Sequence, residues 1–190
     1  HLPERVQKGQ GTMRAFTFEN ATKIYFGGGC VKEHLLEAVK PYGETVMLAY
    51  GGGSIKTNGI YQEVMDVLKL AGKQVIEFSG IMPNPTYSKV MEGKKIVQEN
   101  QVDLILAVGG GSVMDCSKAI SMAAATDKDV WEEYWIKKGE IDFEPVPVGV
   151  IVTVVGTGSE VNGEGVITHE EQKIKTSRNY PRCNPVFAMM

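Results

Sequence analysis

Short apolar runs alternate along this chain with longer segments in which apolar residues recur every three or four positions. The runs are typical of strands buried on both faces, and the longer spacing is typical of helices that cover them. Glycine and proline separate the two kinds of segment. The pattern predicts strands over 21–27, 45–50, 74–80, 103–108 and 146–155, and helices over 28–43, 60–72, 87–101 and 113–125.

Strands and helices in this order predict a doubly wound α/β domain with a mostly parallel, Rossmann-like sheet. The predicted dinucleotide-binding domain covers residues 13–190. The polar residues 1–12 lack periodicity and are expected to be a leader or a disordered arm. The final segment "PVFAMM" (185–190) is expected to be a strand that exposes an apolar edge.

Two "GGGS" stretches, at 51–54 and 109–112, directly follow predicted buried strands. Ligands of doubly wound sheets bind outside the carboxyl ends of the strands, where glycine loops lead into helices. The free N–H groups of a helix amino end can hold a phosphate there without a lysine. Ser112 is expected to cap its helix and to donate to a phosphate oxygen, with Asp115 accepting from a ribose or nicotinamide group. The alternative is a tight turn with a simple N-cap.

The first of these loops also carries Ser54 and Lys56, whose hydroxyl and ammonium groups suit an extra phosphate. An acidic residue at this place would hold a ribose 2′-hydroxyl and repel a 2′-phosphate, whereas this chain has glycine. The pattern therefore favours NADP over NAD, and the alternative for Lys56 is a solvated surface lysine. Neither loop fits the G-x-G-x-x-G or P-loop pattern.

A third loop, "TVVGTGSEVNGEG" (153–165), is polar and follows another apolar strand. We expect it to lie over a nicotinamide ring, and ordinary turn chemistry is the alternative. Its side chains with donors or acceptors are Thr153, Thr157, Ser159, Glu160 and Asn162.

The composition is that of an ordinary folded protein, with 43% hydrophobic and 23% charged residues. A net charge of −3 argues against nucleic acid or an anionic membrane surface as the main partner. The three cysteines are distant and odd in number, which favours a reducing cytoplasm over a disulfide framework or a zinc ribbon. No apolar run reaches the roughly 18 to 20 residues of a membrane span.

The three loops, with "PNPTY" (83–87) and "NPVFA" (184–188), resemble the iron-dependent alcohol dehydrogenase family. The resemblance covers residues 13–190 and is strongest to the branch of butanol dehydrogenases and NADPH-dependent aldehyde reductases. It rests on "YGGGSIKTNG", "GIMPNPTY", "LAVGGGSVMDCSKAI" and "TGSEVN" at the expected spacing.

The resemblance assigns the candidate cofactor site in three parts. The adenosine ribose, with any 2′-phosphate, would lie by Gly51, Gly52, Gly53 and Ser54. The pyrophosphate would lie by Gly109, Gly110, Gly111 and Ser112, with Asp115 beside them. The nicotinamide side would be lined by Thr153, Thr157 and Ser159, with Lys175 reaching a ribose.

The resemblance further implies hydride transfer between NADP, with NAD as the alternative, and a primary alcohol or aldehyde such as butanol or butyraldehyde. Family members hold iron or zinc in an all-helical domain that we expect to be absent from this chain. Its histidines, His1, His34 and His169, match none of the ligands, so no metal site and no catalytic residue is predicted here. The chain alone is expected to show no turnover.

Other readings stay open at this level. A stand-alone nucleotide-binding regulatory module would show the same loops. The glycerol dehydrogenases and dehydroquinate synthases share a "GGGS" loop but differ in the other motifs, and a phosphotransferase would need more carboxylates than Asp115. The alternating segment 16–27 suits an edge strand that pairs across a twofold axis, so a homodimer is expected.

Overall fold

The structure, a computed structural model, describes residues 19–190. The expected leader, 1–12, and the start of the expected edge strand, 16–18, lie outside the described residues. The strands are β1 Lys23–Tyr25, β2 Thr45–Tyr50, β3 Gln74–Phe78, β4 Leu104–Gly109, β5 Val148–Val152, β6 Glu164–His169, β7 Ile174–Asn179 and β8 Phe187–Met189. The helices are α1 Cys30–Val39, α2 Ser54–Thr57, α3 Ile60–Leu70, α4 Tyr87–Asn100 and α5 Gly111–Ala124.

Six strands form one sheet in the order β1-β8-β5-β4-β2-β3, and every neighbouring pair is parallel. The remaining two, β6 and β7, form a separate antiparallel hairpin. This is the doubly wound α/β fold that the alternation of elements predicts. No helix within residues 19–190 is both long and apolar enough to cross a bilayer.

Burial on both faces of the sheet explains why its central strands are apolar at nearly every position. Successive side chains of a strand point to opposite faces. Met47 and Ala49 of β2 lie in the core beneath α4 and α5, whereas Val46, Leu48 and Tyr50 lie in the core beneath α1 and α3. Both faces are covered, so no position of this strand needs a polar side chain.

Four short helical segments within residues 19–190 were not predicted from the sequence, and one of them is a 3₁₀ turn at Pro181–Cys183. The segment after β2 is not all loop, because the Ser54 carbonyl accepts the N–H of Asn58 and closes the turn of α2. A π-helical segment, Trp131–Ile136, buries both tryptophans of the chain. A 3₁₀ turn, Ser159–Val161, lies within the third loop.

The expectation of an exposed apolar edge at 185–190 is wrong. Strand β8 lies inside the sheet between β1 and β5, and Phe187, Ala188 and Met189 are buried. Gly149 of β5 pairs with Phe187 and makes room for its ring, since a methyl group on Gly149 would lie 2.3 Å from Phe187 Cζ. Among residues 19–190, the edges of the sheet are β1 and β3.

Gly149→Ala should lower the free energy of unfolding by about 1–3 kcal/mol, because the methyl group overlaps the Phe187 ring. Urea unfolding followed by circular dichroism measures this. Gly28→Ala is the matched control, since its methyl group meets no described atom within 4 Å. Equal small effects of the two substitutions would contradict the placement of β8 beside β5.

Candidate functional site

The candidate site lies where the connections of the sheet change direction. From β2 the chain passes to β3 on one side, and then to β4 on the other side of β2. The connecting helices α3 and α4 pack on opposite faces, which leaves a crevice between the carboxyl ends of β2 and β4. Such switch points are where open α/β sheets bind ligands.

The first glycine loop, residues 51–54, leaves the carboxyl end of β2 in this crevice. None of its glycines has a positive φ, so left-handed backbone does not explain them. A methyl group on Gly51 would lie 3.1 Å from the Ile81 carbonyl oxygen, whereas one on Gly52 or Gly53 would meet no described atom within 4 Å. Gly52 and Gly53 therefore leave open space beside the main chain.

The second glycine loop, residues 109–112, is packed more tightly. A methyl group on Gly109 would lie 2.6 Å from Val113 Cγ2, and one on Gly111 would lie 2.7 Å from Thr157 Cγ2. Gly110 is extended and is the N-cap of α5, with its carbonyl accepting the N–H of Met114. The expected N-cap role of Ser112 is therefore wrong, because Ser112 already lies within the first turn.

The polar loop, residues 153–163, meets the second glycine loop directly. The N–H of Thr153 donates to the Gly109 carbonyl at 3.0 Å. Val154 lies over Gly110, and Thr157 lies over Gly111. The structure thus brings the three predicted loops together at one edge of the sheet.

A groove of about 290 Å³ runs along the first glycine loop. Lys56 is the charged residue of its lining, which consists of Tyr50, Gly51, Gly52, Gly53, Lys56, Ser79 and Gly80. The Lys56 ammonium lies 5.5 Å from the Tyr50 ring centre and 4.8 Å from that of Tyr61. Interaction with Tyr50 raises the Lys56 pKa, so the groove carries a positive charge at neutral pH.

A carboxylate that sequence reasoning missed lies behind this groove. Glu77 is the next-to-last residue of β3, and its Oε1 accepts a hydrogen bond of 2.8 Å from the Tyr50 hydroxyl. It does not belong to the groove lining. The sequence does show an acidic residue near the end of a strand, which could have marked Glu77 as a candidate. That Tyr50 is its hydrogen-bond partner is seen only once β2 is paired with β3.

Asp115 lies in the first turns of α5 and uses both carboxylate oxygens within the protein. Oδ1 accepts from the Ser159 hydroxyl at 2.6 Å, and Oδ2 accepts from the Val166 N–H at 3.1 Å. Burial raises the pKa of the Asp115 carboxyl, and these two hydrogen bonds partly offset that effect. Asp115 therefore connects α5 to the polar loop and to β6, and each oxygen keeps a further lone pair for a ligand.

Lys118, one turn further along α5, was not predicted as part of the site. Lys118 is 2% exposed, and its ammonium donates to the Ser159 hydroxyl at 2.7 Å and to the Ser159 carbonyl. Burial lowers the Lys118 pKa to about 8, although Asp115 acts in the opposite direction. The sequence does not show that Lys118 is buried, because a lysine in an amphipathic helix is ordinarily expected on the exposed face.

Lys175 lies on β7, and its ammonium donates to Asn84 Oδ1 in the loop that follows β3. The hairpin reaches this loop because the Thr168 N–H donates to the Pro85 carbonyl at 3.0 Å. Lys175 therefore lies beside the loop that follows β3, and β3 is the strand next to β2.

Two histidines fall within the described part of the chain, and both lie against aromatic rings. His34 stacks on Tyr25 at 4.9 Å, and His169 stacks on Tyr87 at 5.2 Å and contacts Trp131. Over residues 19–190, no three His, Cys, Asp or Glu side chains are grouped closely enough to hold a metal ion.

A family profile for iron-containing alcohol dehydrogenases matches residues 21–190. The chain belongs to this family. Among its relatives, the probable NADH-dependent butanol dehydrogenase 1 of Bacillus subtilis (strain 168) is 44% identical over 94% of this chain and 45% of its own length. The NADPH-dependent aldehyde reductase YqhD of Escherichia coli (strain K12) is 37% identical over the same shares.

Solved structures agree with this placement in the iron-containing alcohol dehydrogenase family. The NADH-dependent butanol dehydrogenase A of Thermotoga maritima superposes with a TM-score of 0.85 at 38% identity, over 93% of this chain and 44% of that one. The chain thus spans about half the length of the relatives that it matches.

The buried lysine of this family member gives a pH dependence of stability. The Lys118 pKa is about 8 in the folded chain and 10.5 ordinarily, so the unfolded chain binds more protons between these pH values. Stability then rises with pH. Relative to Lys118→Met, the parent should gain at most about 3 kcal/mol from pH 8 to 10.5 in urea unfolding. A constant or falling difference would contradict the buried charge.

Proposed function

We propose that this chain forms the cofactor-binding part of an NAD(P)-dependent alcohol dehydrogenase or aldehyde reductase that acts on primary alcohols and aldehydes such as butanol and butyraldehyde. One observation carries the proposal, namely the meeting of three predicted loops at the switch point between β2 and β4. The relatives named for butanol dehydrogenase and aldehyde reductase activity support the substrate class.

The second glycine loop suits a diphosphate. The first N–H groups of α5 have no acceptor within the helix, and no acidic residue lies in its first turn. A helix of 14 residues adds a partial positive charge at this end. We propose that the amides of Gly110, Gly111 and Ser112 hold the diphosphate, with the Ser112 hydroxyl as a further donor.

The first glycine loop suits the adenosine ribose, because the open space at Gly52 and Gly53 lets a ligand approach the main chain. Gly51 and Ser54 complete this part. On the other side, Thr153, Thr157 and Ser159 would face the nicotinamide, and Lys175 would reach a ribose. When bound, the nicotinamide supplies the hydride acceptor or donor, while these residues orient it and exclude water.

The proposed reaction also uses a metal ion, which would need its own set of ligating side chains. Residues 19–190 offer no cluster of side chains for the iron or zinc of the proposed reaction. Nucleotide binding, by contrast, is supported by the groove and the charged Lys56 at the first glycine loop and by the free amides at the amino end of α5.

We also propose cytoplasmic location and a homodimer. All three cysteines are buried and unpaired, which suits a reducing compartment. Within the described part of the chain, strand β1 is an edge of the sheet, and beside it Phe26 is 84% exposed, which suits pairing with a second copy.

Gly52→Ala should weaken NADPH binding by at least about tenfold, because its methyl group fills the space beside the ribose. Stability should stay within about 0.5 kcal/mol of the parent, since φ is not positive and no described atom lies near. Quenching of tryptophan fluorescence or calorimetric titration measures the affinity. Gly28→Ala is again the matched control, and an unchanged affinity for Gly52→Ala would contradict the proposed site.

The positive charge in the groove favours NADP over NAD. Lys56→Gln should weaken NADPH binding by about tenfold and NADH binding by less than about twofold, because only NADPH carries the 2′-phosphate. Titration of the two coenzymes against both proteins measures the difference. Tighter binding of NADH than NADPH by the parent would overturn this preference.

A further inference from the structure

The ammonium group of Lys118 joins α5 to the last part of the polar loop and to the start of β6. It contacts four acceptors, which are the Ser159 carbonyl, the Ser159 hydroxyl at 2.7 Å, the Glu164 carbonyl at 3.0 Å and Asn162 Oδ1 at 3.3 Å. All four belong to residues 159–164, which lie more than 40 positions away along the chain. One buried cation therefore fixes the path of this whole segment.

The polar loop is thereby held at two points on the same helix. Thr157 packs over Gly111 at the amino end of α5, and Ser159 is bound two turns further along by Lys118. The Ser159 hydroxyl accepts from the Lys118 ammonium and donates to Asp115 Oδ1. A charged Lys118 thus sets the direction of the Ser159 proton as well as the place of the loop.

Fold stability alone does not account for a lysine at this position. Removing an ammonium from water is costly, and an apolar side chain of similar length would often fill such a place at equal or lower cost. The titratable groups that face Lys118 are Asp115 on α5, Glu160 in the 3₁₀ turn, Glu164 at the start of β6 and the Cys183 thiol. Glu160 Oε2 is itself buried without a partner among the described residues.

We propose that Lys118 is a positioning residue for the nicotinamide side of the cofactor. Its ammonium holds Ser159 and the preceding residues of the polar loop at a fixed distance from the second glycine loop, so that the diphosphate and the nicotinamide bind together. The inference rests on the proposed function and adds to it a residue that acts through the loop.

Comparing the affinities for two ligands distinguishes a positioning role of Lys118 from a general contribution to the stability of the fold. NADPH spans the whole proposed site, whereas adenosine 2′,5′-bisphosphate carries only the adenosine-side phosphate of the diphosphate and lacks the nicotinamide half. In the full chain, Lys118→Met should weaken NADPH binding by about tenfold and adenosine 2′,5′-bisphosphate binding by less than about twofold. Lys95→Met, which changes an exposed lysine of α4, is the control and should change neither affinity.

Each outcome of these titrations decides a claim. A selective loss of NADPH affinity supports the inference, and equal losses for both ligands, or none, overturn it while the proposed function stands. If the parent binds neither ligand, the proposed function fails and this inference fails with it.

A milder substitution covers the case in which Lys118→Met does not fold. Asn162→Ala removes one of the four acceptors and leaves the buried charge with three. NADPH affinity should then fall by about threefold, with adenosine 2′,5′-bisphosphate affinity unchanged. Equal losses for the two ligands again overturn the inference.

The pH dependence gives a readout that a purely structural role would not produce. As pH rises through about 8, Lys118 loses its charge and one of its donors. The NADPH affinity of the parent should therefore fall relative to adenosine 2′,5′-bisphosphate between pH 7 and 10, although its stability rises. A constant affinity ratio in the parent overturns the inference.

Discussion

The candidate site depends on the parallel pairing of β2, β4 and β5. Tyr50 pairs with Val108, and Val108 pairs with Ile151, so the three strands end at nearly the same level. Parallel strands present their carboxyl ends on one edge, and each of these three strands leads there into one of the predicted loops. The Val113 side chain lies between the first two loops, close to both Gly51 and Gly109.

The glycines of these loops serve two different physical purposes. Gly109 and Gly111 are needed by the protein itself, because Val113 and Thr157 occupy the space that a side chain would take. Gly52 and Gly53 face open space among the described residues, and their backbone angles would suit other residues. Open space for a ligand beside the main chain is therefore found at Gly52 and Gly53, whereas the proposed contribution of the second loop is its free amides. Two identical stretches in the sequence thus have different roles.

Helix α5 connects these features. Its amino end supplies the free amides, its first turn packs against Thr157, and its buried face carries Asp115 and Lys118. Hydrogen bonds hold the polar loop at Thr153 and at Ser159. Between these residues the loop is exposed to solvent, with Val154 66% and Val155 74% exposed. Such a loop, held at both ends and apolar and exposed between them, is suited to pack against the proposed nicotinamide ring.

The sequence by itself determined the order of strands and helices, the fold class and the places where the glycine loops stand. These properties are local, since apolar periodicity indicates which faces of each element are buried and turn residues indicate where each element ends. The family was also determined at this level, because four motifs stand at a defined spacing.

The tertiary structure alone decided which distant residues meet. It placed β8 inside the sheet, began α5 at Gly111, and joined Asp115 and Lys118 to Ser159 across 44 and 41 positions. The pattern of a helix shows that a face is buried and does not show what covers it. A buried lysine and a surface lysine look alike in the sequence, because the desolvation cost and the acceptors that offset it come from another part of the chain.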